Sequence, residues 1–314
     1  MMIKDAVTEY LKHLKTLGRA YYTIKGVRSA LADFKRFLET EKVYSIEELS
    51  GEIMEEYQEE LAFRLSSRGR LLSLGTQSQI LSWVMGFTLF LKEKDYLLHD
   101  PGKRIKRPRT PKRLPRTILN NDEVKKLLQA PDTHTNDGYR NRIVLEILYD
   151  TGIRRSELAG IKLQELDLDA GYITVHGKGS KDRVVPICDR VCSLVKNYII
   201  GIRPNLLKGD KDDGYLLLNR WGHRMEPNAV WAIVKQSVER ARLKRNISTH
   251  SLRHTCATHM LRNGAPVRHL QEMLGHESLE STQVYTHVTI NDLKEVHKKY
   301  HPLETMKDSS QPPR

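Results

Sequence analysis

Six side chains in the second half of the chain are of the right types to handle a phosphate. They are Arg154 in TGIRRSEL, Lys178 in HGKGSKDRVVP, His250 and Arg253 in HSLRH, His276 after Leu274-Gly275, and Tyr285 nine residues further on. Arginines bind non-bridging phosphate oxygens through charge-assisted hydrogen bonds and offset charge that builds in a transition state. Histidines and a lysine move protons. The set lacks the carboxylate cluster that magnesium needs. Each residue taken singly has a plainer reading: a surface arginine, a solvated turn lysine, a half-buried tyrosine. Arg154 is less easily dismissed, because a cation at a helix N-terminus opposes the dipole and is better explained by a bound anion. His250, His254 and His259 with Cys256 between them could suggest zinc, but HxxxH spacing is common by chance and no CxxC accompanies it.

The elements that must position these residues can be read from the pattern. TGIRRSEL follows a helix around Arg142–Asp150 that ends at Thr151-Gly152, and Asn120 or Asn121 caps a helix over Glu123–Gln129. Tyr172–His176 and Arg183–Ile187 flank GKGSKD, which predicts a hairpin with Lys178 in its turn, and Tyr215–Leu218 is a further candidate strand. Spacing of i, i+3 and i+4 puts His250, Arg253 and His254 on one helix face. From Asn228 onward the pattern is helical, broken at Gly264-Ala265-Pro266 and Gly275, with a last helix over Asn291–Tyr300 that Asn291 caps and His301-Pro302 stops.

Residues 1–100 show helical periodicity alone: Ile3, Val7, Tyr10, Leu11 and Leu14, then Leu31, Phe34 and Leu38, then candidate helices over 46–65 and 73–93. The stretch 101–117, PGKRIKRPRTPKRLPRT, has four prolines, eight basic residues and no acid. Proline blocks regular structure there, which predicts an extended tether. Its Lys103, Arg104, Lys106, Arg107, Arg109, Lys112 and Arg113 could displace counterions along a phosphate backbone. The expected organisation is a helical domain over 1–100, a linker over 101–117, a second domain over 118–302 and a polar tail over 303–314.

Composition agrees with a polyanionic partner. The 314 residues carry 52 Lys and Arg against 39 Asp and Glu, a net charge of +13. No window approaches the ~20 apolar residues of a membrane span, and Met1–Glu9 has no apolar signal core. Three cysteines (Cys188, Cys192, Cys256) make no disulfide framework and fit a reducing cytosol. The expectation is a basic cytoplasmic, nucleoid-associated protein.

Four blocks, TGIRRSEL, HGKGSKDRVVP, HSLRHTCATHML and LGHESLESTQVYTH, resemble in order and spacing the tyrosine recombinase (phage integrase) family, above all its compact Xer-type members. The resemblance covers the whole second domain and, by size and position, the first. It implies a mainly α fold with a small β-sheet in the C-terminal domain: a helical, SAM-like core-binding domain followed by an α+β catalytic domain. Together the two would clamp a duplex. It implies a site-specific recombinase that cuts and rejoins double-stranded DNA through a 3′-phosphotyrosine, without metal, ATP or cofactor. Such an enzyme serves chromosome or plasmid dimer resolution, or integration and excision of a mobile element. By the same resemblance Tyr285 is the nucleophile and His250 the base. Arg154, Arg253 and His276 hold the non-bridging oxygens, and Lys178 protonates the leaving 5′-oxygen. Where family members often carry an aliphatic residue, this chain has Arg155; spacing after Thr151-Gly152 favours Arg154 for the phosphate, with Arg155 reaching the DNA backbone or a neighbouring acid. Glu157 would support the arginine helix. The active assembly would be a homotetramer on two DNA sites, or a heterotetramer with a paralogous recombinase, with C-terminal segments exchanged between neighbours. A type IB topoisomerase-like enzyme and a non-catalytic DNA-binding regulator are the alternatives; the intact set of six argues against the second.

Overall fold

The structure, a computed structural model, describes residues 1–66, 69–109, 118–177, 182–208, 212–275 and 290–305. It divides into two units, Met1–Arg113 and Leu114–Arg314. Apolar side chains recurring every three or four positions build the first from α1 (Ile3–Thr16), α2 (Tyr21–Thr40), α3 (Gly51–Phe63) and α4 (Leu74–Glu93). α1 buries Ile3, Ala6, Tyr10 and Leu14, and α2 buries Ile24, Val27, Leu31, Phe34 and Leu38. Each large side chain taken fully out of water contributes roughly 1.5–3 kcal/mol. Tyr57 of α3 packs on Phe34 and Phe37 with ring centroids 4.8 and 5.1 Å away.

Two local expectations for this unit are corrected. The helix expected over 46–65 is split, because the Ser50 hydroxyl accepts from the Ile53 amide at 3.3 Å and starts α3 afresh after a 3₁₀ turn at Ile46–Glu48. The tether does not begin extended. Pro101–Arg104 is a 3₁₀ turn capped by Asp100, whose Oδ1 accepts from the Gly102 amide at 2.9 Å, and Ile105 is buried in the unit's core. Proline suits this position because the first turn of a helix has no use for its amide. Lys103, Arg104, Lys106, Arg107 and Arg109 are exposed. Thr110 to Thr117, with Lys112 and Arg113, lie outside the described residues.

The second unit is organised around one buried helix. α5 (Asn121–Leu128) starts at an Asn120 cap, with Glu123 closing the capping box. α6 (Asn136–Thr151) then buries Ile143, Val144, Leu145, Ile147, Leu148 and Tyr149 completely, leaving no polar face over that stretch. It begins six residues before the expected Arg142, because the Thr135 hydroxyl accepts from the Gly138 amide at 3.0 Å. After α7 (Arg155–Leu158) come β1 (Leu166–Asp167), β2 (Tyr172–His176) and β3 (Asp182–Pro186). They form an antiparallel sheet in the order β1-β2-β3, with Ile173 opposite Val185 and His176 opposite Asp182. The two expected strands pair antiparallel, with a short third strand beside them; residues 178–181 of their connection, Lys178 among them, lie outside the described residues. Tyr215–Leu218 makes isolated bridges to Lys162 and Arg224 in place of a strand.

Helices complete the unit: α8 (Asp189–Asn197), α9 (Arg203–Leu206), α10 (Pro227–Arg240), α11 (Thr249–Arg262), α12 (Val267–Leu274), α13 (Ile290–Tyr300) and α14 (Pro302–Thr305). Asn291 falls inside the first turn of α13, so it is not the cap expected there. Among the described residues no helix is long and apolar enough to cross a membrane.

Candidate active site

Arg154 owes its place to a glycine. α6 ends at Gly152, whose φ of +61° is left-handed, and a Cβ there would meet Leu274 Cδ2 at 2.7 Å. Conformation and space both require glycine at this turn. The reversal buries Ile153 and delivers Arg154 to the start of α7, where its side chain stays 41% exposed. The cation that would oppose the α7 dipole is matched within the chain: the Arg154 amide donates to Glu157 Oε2 and its guanidinium to Oε1, both at 2.8 Å.

Two more arginines converge here from distant elements. Arg183 of β3 donates to both Glu157 oxygens, at 3.2 and 2.9 Å. The last carbonyls of α12, which lack helical partners, collect all three guanidiniums. Met273 O accepts from Arg183 at 2.9 Å, Leu274 O from Arg253 at 2.6 Å, and Gly275 O from Arg154 at 3.4 Å. Arg253 is buried on α11 and also donates to Gly152 O at 2.8 Å, tying its position to the turn that presents Arg154. Gly275 closes α12 at φ +66°, and a Cβ on it would press on the Arg183 side chain at 3.2 Å.

The electrostatics of this cluster favour an anion. Burial, and then the like charges of Arg154 and Arg183, push Arg253 down to about 10 against the pull of Glu157. It remains a cation at neutral pH, and an approaching anion relieves the repulsion. Burial alone would raise Glu157; the hydrogen bonds and charges of Arg183 and Arg154 hold it below the ordinary carboxylate range. Its contribution to stability is therefore present above the ordinary glutamate value and is lost as pH falls through the lowered one. Glu157→Gln is expected to lower the unfolding free energy on the order of 3 kcal/mol at neutral pH, since it leaves partly buried guanidiniums uncompensated. Denaturant titration at pH 7 checks this, and an unchanged midpoint would refute it.

The remaining candidates are distributed as follows. His250 and His254 share a flank of α11 and are exposed, whereas Arg253 turns inward. Cys256 and His259 are buried. His259 is engaged by the Tyr149 hydroxyl at 2.8 Å and Leu119 O at 2.7 Å, so the histidines and cysteine of this helix do not converge on a zinc. Arg155 is half-buried as the first residue of α7. Lys178, His276 and Tyr285 lie outside the described residues. Their flanking elements are placed: β2 and β3 on either side of Lys178, Gly275 just before His276, and α12 and α13 on either side of Tyr285.

His176 is the last residue of β2, two positions before Lys178 in the sequence. Its Nδ1 lies 2.7 Å from Asp182 Oδ1 and its Nε2 2.8 Å from Glu165 Oε1. Asp182 first, then Glu165, raise its pKa above the ordinary histidine value. The doubly paired cation is thus fully formed below that value and lost as pH rises through the raised one. An NMR titration of the His176 ring is expected to show a midpoint above ~6.5 that drops in Asp182→Asn. A wild-type midpoint at or below the ordinary value would contradict it.

Arg183 is the site residue that motif reading passed over. It stands inside HGKGSKDRVVP, and a cation just after the turn was its only local signal. One cluster of metal-ligating types occurs among the described residues, Asp150 with His297 and His301. Their ring Nε2 atoms face the carbonyl oxygens of Asp150 at 3.0 Å and Tyr149 at 3.3 Å, so they carry hydrogens and offer no lone pair there.

Comparison with known proteins gives the family and the fold. Residues 117–292 match the model of the phage integrase family. The tyrosine recombinase XerD of Staphylococcus epidermidis is 35% identical over 301 residues, covering 94% of this chain and 98% of that protein. Among solved structures, the XerH site-specific recombinase bound to difH substrate in a pre-cleavage complex is similar at TM-score 0.64 and 24% identity. That match covers 92% of this chain and 82% of the other. The lambda integrase tetramer bound to a Holliday junction gives TM-score 0.68 at 15% identity, over 91% of this chain and 80% of that one. The two structural likenesses bear on the fold.

Proposed function

Because the chain belongs to the phage integrase family and is a Xer-like, site-specific tyrosine recombinase, we propose that the three-arginine cluster at the end of α12 is the seat of its scissile phosphate. The observation that carries this reading is the meeting of Arg154 with Gly275, 121 residues away in sequence, beside Arg253. Three guanidiniums held by one carboxylate and four carbonyls carry a net positive charge that suits a phosphodiester monoanion and, more strongly, its five-coordinate dianionic transition state.

On this reading Tyr285 Oη attacks the phosphorus, forming a 3′-phosphotyrosine as the P–O5′ bond breaks. His250 takes the phenolic proton, and Lys178 gives one to the departing 5′-oxygen. A phenol with a pKa near ~10 is a weak nucleophile at neutral pH, so base and cations act together. Arg154, Arg253 and His276 bind the non-bridging oxygens. The covalent link conserves the phosphodiester energy, and attack by a second strand's 5′-hydroxyl reverses each step without ATP. The exposed Lys103, Arg104, Lys106, Arg107 and Arg109, together with Arg155, contact the DNA backbone. The XerH and lambda integrase likenesses support a duplex DNA partner and a multimeric assembly, here a tetramer across two sites.

The test uses a duplex site recovered by selecting bound sequences from a random library. Two plasmid-borne copies should exchange strands, and a nicked copy should trap an SDS-stable adduct, both undiminished in excess chelator. Relaxation of plasmids lacking the site, without exchange between sites, would instead assign a topoisomerase. Activity lost on chelation and restored by a divalent ion would overturn the metal-free scheme.

A further inference from the structure

The C-terminal end of α6 is held by the last helix of the chain. A helix leaves its final carbonyls unsatisfied, and here two histidines satisfy two of them. His297 of α13 donates through Nε2 to Asp150 O at 3.0 Å, and His301 donates through Nε2 to Tyr149 O at 3.3 Å. The same rings, stacked with centroids 4.6 Å apart, approach the Asp150 carboxylate: His297 Nε2 lies 3.3 Å and His301 Nδ1 3.5 Å from Oδ1. The other oxygen, Oδ2, accepts from the Cys188 amide at 3.0 Å, and the His301 Nδ1 lone pair receives the Leu303 amide at 3.3 Å. Asp150, His297 and His301 are 0%, 2% and 1% exposed.

The charge state fits this wiring. Burial would strip the proton from His297, but the Asp150 charge and hydrogen bonds, with Glu304 of α14 adding to them, raise its pKa. Burial and the neighbouring His297 cation push His301 down to about 3, which keeps it neutral. One imidazolium therefore faces one carboxylate at the negative end of the α6 dipole. A buried Asp150 without that partner would be strongly unfavourable.

Gly152, whose carbonyl holds Arg253 and whose left-handed turn presents Arg154, lies two residues beyond Asp150. We propose that His297 and His301, by capping α6 at Asp150 and Tyr149, are positioning residues for the Arg154–Arg253 pair. The proposal rests on the reading of that pair as the phosphate site. Its consequence is specific. The helix that follows the Tyr285 segment acts on phosphate binding from behind, through α6, and not only on delivery of the tyrosine.

The test separates those two routes. A methylphosphonate at the scissile position removes a negative charge, so it relieves a defect in the arginines but not one in the nucleophile. On nicked duplexes carrying the selected site, His297→Leu should slow covalent adduct formation on the order of tenfold to a hundredfold with the natural phosphate. With the methylphosphonate the deficit should shrink to less than threefold relative to wild type. His297→Gln combined with Asp150→Asn, which keeps a donor for the carbonyl of residue 150 and strands no buried charge, should stay within threefold on both substrates. Asp150→Asn, which leaves both histidine donors in place, should likewise stay within threefold, whereas His301→Leu, which removes the donor to Tyr149 O, should repeat the selective deficit and serves if the His297 variant melts below the assay temperature. Equal deficits on the two substrates, or none on either, overturn the proposal. An Arg154→Ala control whose deficit fails to shrink on methylphosphonate would strike the reading beneath it, and the proposal with it.

Discussion

A Tyr285→Phe variant is expected to bind its DNA site as the wild type does and to form no covalent adduct. The substitution removes one hydroxyl and keeps the ring, so any packing of residue 285 is retained while the attacking oxygen is gone. Deleting a hydrogen bond between that hydroxyl and phosphate would change affinity by about 1 kcal/mol. The chemical step has no substitute: His250 and His276 could reach phosphorus only as nitrogen nucleophiles, giving an acid-labile adduct in place of a phosphotyrosine. Loss on the order of 10⁴-fold or more is the expectation for a removed nucleophile. Wild type and variant would be compared for SDS-stable adduct on the nicked site and for gel-shift affinity at several salt concentrations. An adduct at wild-type yield would mean that another side chain attacks, and would dismantle the mechanism. Affinity falling in parallel with cleavage would mean that residue 285 binds and does not react.

What was legible in the sequence follows from what side chains report locally. The stripes of α1 and α2 could be read because one face is wet and the other dry. A capping Asn120 or Asn121 announced the start of α5, and the capping box with Glu123 fixes it at Asn120. α6 announced its end, at Gly152, but not its beginning: buried all round over Ile143–Tyr149, it has no polar face to set a period, and its cap lies back at Thr135. β1 spans two residues and is defined only by its neighbour β2. Within the site, Arg154 and Arg253 stood out as members of motifs. Arg183 acquires meaning from Met273, 90 residues away, and from a carboxylate on α7. Asp150, His297 and His301 were passed over for a related reason. Polar residues are assigned to the surface unless partners are visible, and these partners lie about 150 positions apart in the chain.

Arg154→Ala is expected to lower the rate of adduct formation by roughly 10²–10³-fold, the usual consequence of deleting one preorganised donor at a developing oxyanion. The fold should survive, because Glu157 keeps Arg183 at 3.2 and 2.9 Å and the Gly152 turn depends on Arg253 rather than on Arg154. Its melting temperature should therefore move by only a few degrees, roughly the shift that 1 kcal/mol produces in a domain of this size. Arg154→Lys should recover part of the charge effect but not the forked geometry that spans Glu157 and Gly275, so it should fall between wild type and alanine. Arg155→Ala separates the adjacent arginines. Acting on the DNA backbone, it should weaken binding and flatten the salt dependence by about one ion while leaving the rate at saturating DNA within a fewfold of wild type. If Arg155→Ala instead lost the chemical step while Arg154→Ala kept it, the phosphate would belong to the second arginine. The contacts of Arg154 with Glu157 and Gly275 would then be a brace for its neighbour.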